Sequence, residues 1–325
     1  MKDRLYLLIT VDVENPQTPL RKKRHFQNLI DGEIGDNPIG ISQIIEILGK
    51  FSFHATFFFN VYESAVWGKD VLRNICHKIK LKNCDVQLHT HPIWCFDNNR
   101  EHMWQYSLEE QIEIIGEGRT LIKEWTSEFP VAHRAGAYGI NEDTLKALSV
   151  NNIPVDCSMF YSHPNCKIVW TRNRIMEREG TIEIPITGFF KNIYCDFGLF
   201  RLKITKGFIK TDIDWCSLDE LKYSVQEMKS NGNKIMNLSM HSYSLIKFNQ
   251  DFPRFEPDYN NINKLESFLK YVGDDKSIEV ITLKEFYNRY QKNPDEFKGS
   301  DYVPCIESKI PWTQIPKRAF KRIFK

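Results

Sequence analysis

The chain has 325 residues, long for one small domain and ordinary for a single α/β barrel-like domain with a tail. Its 44 basic residues nearly balance 42 acidic ones, which speaks against a general nucleic-acid binder with a strong basic excess. With 42% hydrophobic and 13% aromatic residues it can bury a large core, and its eight cysteines show no Cys-x-x-Cys pair, so neither a zinc ribbon nor a secreted disulfide framework is indicated. A reducing cytoplasm with free thiols is the simplest setting for it.

The apolar run from Leu5 to Val11 is too short, and too soon interrupted by Asp12 and Glu14, to be a signal peptide or a membrane-spanning helix. It reads instead as a strand buried on both faces. Asp12 and Glu14, at i and i+2, share one face of its end. Core carboxylates are rarely left without a partner, so this end points to a metal, an arginine or a polar cleft; an acidic pair in solvent is the plain alternative. Residues 15–40 carry turn chemistry at Pro16, Pro19, Gly32, Gly35 and Pro38, together with the basic run Arg21 to His25. This is a long loop after the first strand, and the run suits either a phosphate or a solvated loop face.

From Gly40 the spacing of Ile41, Ile44, Ile45 and Leu48 predicts a helix, and Phe53 to Phe59 a second buried strand. A helix near Val71 to Ile79 leads into a strand over Val86 to His89, which runs out at His89-Thr90-His91-Pro92. On an extended backbone the two imidazoles lie roughly 7 Å apart on one face and can converge on one point. Two histidines are half the set of a catalytic zinc site, for which one carboxylate is a recurrent third ligand. An isolated His-x-His pair is otherwise a surface or hydrogen-bonded feature. Ser107 and Glu110 form a capping box for a helix to about Trp125; Val131 and Ala132 make a short strand, and a turn runs from Arg134 to Gly139. Asn141 caps the next helix, and Ile153 to Ser158, containing Asp156, reads as another short strand.

Between Lys167 and Thr211 the helical period disappears. Thr181 to Ile186 and Phe197 to Ile204 read as antiparallel or irregular strands, an irregular β insertion around 165–211. Ser217 and Glu220 open a helix, and the strand Lys234 to His241 delivers His241 at its carboxyl end. A helix over Lys264 to Val272, a strand over Ser277 to Ile281 and a helix capped by Thr282 and Glu285 close a domain spanning residues 1–293. Residues 294–325 read as an irregular linker and a basic tail. As a helix, this tail would set Ala319, Phe320, Ile323 and Phe324 against five basic residues, suited to peripheral contact with an anionic membrane surface; a frayed tail is the alternative. Strands alternating with helices imply βα units and a parallel sheet or barrel, in which sites gather at the carboxyl ends of strands. Asp12 with Glu14, His89 with His91, Arg134, Asp156 and His241 all lie at such ends.

The ordered segments Thr10 to Glu14, Ala55 to Phe59, His89 to Pro92, Arg134 to Gly139, Asp156 to Ser158 and Leu238 to His241 resemble the polysaccharide deacetylase family, the NodB homology or carbohydrate esterase 4-like proteins. The resemblance spans about residues 5–285 and looks closest to the divergent WbmS-like branch of surface-polysaccharide (O-antigen) biosynthesis. It implies a deformed (β/α)7 barrel and a metal-dependent hydrolase of C–N bonds that deacetylates an N-acylated sugar carried on a nucleotide, a lipid or a glycan. Residue by residue it implies Asp12 as catalytic base, Glu14, His89 and His91 as ligands of a divalent metal, zinc in the first place, Arg134 as the partner of Asp12, Tyr138 near the oxyanion and His241 as general acid. Trp94 and Tyr138 are candidates for stacking on a sugar ring, with core packing the default for any one aromatic, and Asp156 is a further candidate for substrate contact. The neighbouring His133 and His163 read as hydrogen-bonded or surface residues.

Departures from the common family pattern are visible. Val13 separates the two acids where adjacent aspartates are usual, Ile93 stands where the second histidine is usual, and Ala135-Gly136-Ala137 follows Arg134 where a proline commonly precedes the tyrosine. Competing readings are a C–N amide hydrolase on a small non-sugar molecule, a non-haem iron oxygenase and a glycan-binding or scaffold domain that has lost catalysis.

Overall fold

The first strand, β1 (Leu5–Val13), is buried along its whole length, as its near-continuous apolar run predicts, and the sheet is built outward from it. The computed structural model describes residues 4–16, 29–196, 201–248 and 255–311. After β1 come the hairpin β2 (Asp31–Ile34) and β3 (Asn37–Gly40), α1 (Ile41–Lys50), β4 (Thr56–Asn60), the short α2 (Ser64–Trp67), α3 (Lys69–Leu81), β5 (Asp85–Thr90), α4 (Leu108–Thr126), β6 (Ala132–Ala135), α5 (Glu142–Val150) and β7 (Val155–Asp156). Then follow β8 (Met176–Arg178), β9 (Thr181–Glu183), β10 (Gly188–Asp196), β11 (Arg201–Lys210), α6 (Leu218–Ser230), β12 (Ile235–His241), the hairpin β13 (Ile246–Phe248) and β14 (Phe255–Pro257), α7 (Tyr259–Asp274), β15 (Ile278–Val280), α8 (Leu283–Tyr290) and β16 (Cys305–Pro311).

Nine strands form one sheet in the order β12-β1-β4-β5-β6-β7-β9-β8, with β15 against the start of β1; all of its pairs are parallel except β8 with β9. The sheet curls into a deformed (β/α)7 barrel. Helices pack on it through apolar faces such as Ile41, Ile44, Ile45 and Leu48 of α1. Phe57, Phe58 and Phe59 of β4 are fully buried, each such side chain contributing about 1.5–3 kcal/mol of hydrophobic stabilisation. The capping boxes expected at Ser107, Ser217 and Thr282 are formed with Glu110, Glu220 and Glu285, and Asn141 caps α5.

Two boundaries differ from the sequence reading. Thr181–Glu183 does not belong to an insertion: β9 pairs in parallel with β7 and is part of the barrel, whereas β10 and β11 form a long antiparallel hairpin beside it. The chain after residue 293 is likewise no mere linker up to Pro311. Phe297 packs against Tyr6 and Phe286 at ring separations of 4.9 and 4.7 Å, and β16 pairs in parallel with β10, Phe190 opposite Cys305. Both are pairings between distant segments, which local periodicity does not encode. The basic run Arg21 to His25 and the basic tail from Lys317 lie outside the described residues. Among the described residues no helix is long and apolar enough to cross a membrane.

Candidate metal and catalytic site

Parallel register brings the predicted residues together. Asp12 lies opposite His241 across β1 and β12, and His89 opposite Arg134 across β5 and β6, so their side chains meet above the carboxyl ends of adjacent strands. Glu14 follows the end of β1, and its Oε2 lies 3.1 Å from His89 Nε2 and 2.5 Å from His91 Nε2. One donor atom from each of the three residues falls within 4.8 Å of the others, and all three residues are buried. The His89 and His91 rings stand 4.9 Å apart at 75°. His89 Nδ1 lies 2.8 Å from the Arg134 carbonyl, an acceptor only, so that Nδ1 donates there and Nε2 is the nitrogen turned toward Glu14.

The unusual sequence around Arg134 has a steric cause. A Cβ on Gly136 would lie 2.2–2.3 Å from three atoms of the His91 ring, so only glycine lets the backbone pass beneath this imidazole. The next two residues, Ala137 and Tyr138, have φ of 47° and 58°, a left-handed turn that L side chains rarely adopt in succession. Ile93, two residues beyond His91, is buried in the core, and it is His91 that stands beside Glu14.

Arg134 is wholly buried; its Nη1 donates to Asp12 Oδ1 at 2.7 Å, its Nε to the Cys157 carbonyl at 3.1 Å, and its guanidinium lies 4.2 Å from the Phe58 ring centre. Burial alone would raise the Asp12 carboxyl, but Arg134, His89 and His241 together hold it below the usual carboxylate range. For Glu14 burial is likewise opposed, chiefly by His91 and then His89, and the carboxyl is held well below its ordinary value. His241 Nε2 is 3.7 Å from Glu14 Oε1, whereas His89 and His91 approach Oε2, the other oxygen of the same carboxylate.

Three further charged residues beside His241 escaped the sequence reading: Asp214, Asp212 and Lys210. Asp214 Oδ2 lies 3.9 Å from His241 Nδ1, held there by the Ser244 hydroxyl at 2.5 Å and, through Oδ1, by Asn261 Nδ2 at 3.0 Å. Burial would lower His241, but Asp214 first, then Glu14 and Asp12, raise it above the ordinary imidazole value. The buried Lys210 Nζ forms an ion pair with Asp212 Oδ2 at 2.7 Å and donates to the Tyr138 hydroxyl at 3.0 Å. Asp212, Asp214 and His241 also lie within 4.8 Å of one another, but Lys210 already supplies the cation there, so this second group supports His241. The signal was present: Asp212 and Asp214 are an i, i+2 acid pair just after a strand, the same pattern as Asp12 and Glu14.

Two expected substrate contacts are corrected. Trp94 is 7% exposed and packs beside Trp67, ring centres 6.5 Å apart, so it belongs to the core. Asp156 is 0% exposed: its Oδ1 lies 2.6 Å from His133 Nδ1 and accepts from the Ser158 hydroxyl at 2.8 Å, while Oδ2 accepts from the Ser158 N–H. Its capacity is used within the protein. Tyr138 is 9% exposed, with Phe160 and His163 packed edge-on to its ring.

The donor set fits a divalent ion. Two imidazoles and a carboxylate converge, the tautomer of one imidazole is fixed by a carbonyl, and no lysine or arginine competes for Glu14 among the described residues. No protein-family model matches the chain, and no curated protein matches it. Among solved structures it is similar to a candidate polysaccharide deacetylase from Mycobacterium smegmatis, with 15% identity, a TM-score of 0.59 and coverage of 90% of this chain and 92% of that one. It is similar also to PuuE allantoinase, with 10% identity, a TM-score of 0.57 and the same coverage of 90% and 92%. At such identities the likeness is one of architecture: the chain has the NodB-like (β/α)7 fold.

Proposed function

We propose that the protein is a metal-dependent hydrolase that removes an N-acyl group, acetyl in the first place, from an amino sugar. The observation that carries this reading is the convergence of Glu14, His89 and His91 within 4.8 Å, with Asp12 and His241 paired in register beside them. In this reading the three residues hold a divalent ion, for which zinc suits the donor chemistry. When bound, such an ion supplies Lewis acidity and brings the pKa of a water down to about 7.

The chain's own groups do the rest. Asp12 Oδ1 is held by Arg134 Nη1, which leaves Oδ2 to take the proton of the attacking water, and the same arginine keeps the carboxylate ionised. The backbone N–H of Tyr138, on the left-handed turn, donates to the oxyanion that develops as the amide carbonyl is attacked. His241 gives its Nε2 proton to the departing amine while Nδ1 faces Asp214. The C–N bond breaks, and a carboxylate and a free amine result.

The substrate we assign is an N-acylated sugar carried on a nucleotide, a lipid diphosphate or a glycan, in surface-polysaccharide synthesis of the WbmS-like kind. We place the protein in the cytoplasm, with the basic tail from Lys317 as a means of peripheral contact with the inner face of the membrane. Incubation with N-acetylated nucleotide sugars and lipid-linked oligosaccharides is expected to release acetate, and His89→Ala with His91→Ala to abolish both the release and the metal content found by elemental analysis. Acetate release that survives the double substitution would overturn the mechanism. A second reading, C–N hydrolysis of a small non-sugar amide, is supported by the fold held in common with an allantoinase. A turnover profile of sugar against non-sugar amides separates the two.

A further inference from the structure

Glu63, just before α2, is 1% exposed and has no lysine or arginine partner among the described residues. Four donors converge on its carboxylate instead. Oε1 accepts from the Asn15 backbone N–H at 2.9 Å and Asn60 Nδ2 at 3.1 Å, and Oε2 from Asn15 Nδ2 at 2.6 Å and Trp67 Nε1 at 2.8 Å. Two of these, a backbone amide and an indole, can only donate, and each oxygen has one of them. The cage is therefore built for a carboxylate. A glutamine here would turn its NH2 against an N–H in either orientation.

The Asn15 N–H belongs to the same peptide unit as the Glu14 carbonyl, and that carbonyl accepts from the Ser242 hydroxyl at 3.0 Å. The peptide that carries Glu14 is thus clamped at both ends, by Glu63 from the α2 side and by Ser242 from the end of β12. Charge follows the same line. Arg134 neutralises Asp12, whereas among the described residues Glu14 and Glu63 have no basic residue beside them other than the histidines of the site. Two uncompensated carboxylates match a divalent cation.

We infer that Glu63 is a positioning residue for the metal site, holding the Glu14 carboxylate at its place and supplying the second negative charge that a divalent ion requires. This rests on the reading of Glu14, His89 and His91 as the donor set. The test is titration of the metal-free full-length protein with Zn2+ by calorimetry and with Co2+ by visible absorption, for the wild type, Glu63→Gln and Asn15→Ala. The wild type should bind one ion. Glu63→Gln should bind it about 10–100-fold more weakly, the usual cost of losing an outer support, and show an altered cobalt spectrum at saturation because Glu14 Oε2 has moved. Asn15→Ala, which loses one of the four bonds and keeps the charge, should fall between the two and carries the test if Glu63→Gln does not fold. A lowered Tm with Kd and spectrum unchanged would make Glu63 merely structural and overturn the inference. A wild type that binds neither ion would overturn the donor set and this role together.

Discussion

Among the described residues the barrel holds two buried histidine–carboxylate groups, and they differ in what is left for a ligand. In one, His133 Nδ1 meets Asp156 at 2.6 Å and Nε2 meets the Thr90 hydroxyl at 2.9 Å, so both ring nitrogens are taken up by the protein. Burial would raise Asp156, but the bond with His133 prevails and holds it below the ordinary range, whereas burial and then the Asp156 charge push the adjacent Glu183 well above it. That network is closed. In the other, Arg134 O fixes one nitrogen of His89, and one donor atom each from Glu14, His89 and His91 lies within 4.8 Å of the others. The same residue types, one strand apart, form a structural knot in one case and a candidate ligand set in the other. What separates them is how many lone pairs the surrounding backbone and hydroxyls already occupy.

Three substitutions would break or sharpen this contrast. The largest effect is expected from Asp12→Asn, which keeps the hydrogen bond to Arg134 and removes the base: kcat should fall about 10²–10⁴-fold with the metal retained, as read by acetate release and elemental analysis. Asp156→Ala should do the reverse. Removing one partner of a buried pair is expected to cost about 3–5 kcal/mol of folding stability, measured by urea denaturation, while the folded fraction binds metal with wild-type affinity. The smallest change is a shift in pH profile. His241 must be protonated to act as acid, and its pKa is raised, so kcat/KM should decline as pH rises through a limb above the ordinary imidazole value of about 6.5. Asp214→Asn removes the first of the charges that raise it and should move this limb to lower pH, leaving the acid limb set by Asp12 in place.

Much of this was legible locally. The buried run of β1, the capping boxes at Ser107, Ser217 and Thr282, and the i, i+2 spacing of His89 with His91 and of Asp12 with Glu14 each depend on residues within a turn or a strand of one another. The misreadings were all of direction or of distance. Asp156 stands at a strand end as predicted and Trp94 in the turn after β5, yet their side chains turn into the core, where His133 and Trp67, from other segments, meet them. Asp214 went unnoticed although its spacing from Asp212 repeats that of Glu14 from Asp12; its closeness to His241 depends on the parallel bridge between Asp212 and Ser239.

What the amino-acid order determined by itself, then, was the alternation of buried strands and capped helices and the placing of acids and histidines at strand ends, since period and spacing are properties of a single segment. Tertiary structure alone decided which of those groups converge, through the register of β12, β1, β5 and β6. It decided too that Gly136 lies beneath His91 and that Glu63 clamps the peptide of Glu14, because close approach between distant segments leaves no periodic trace in the chain.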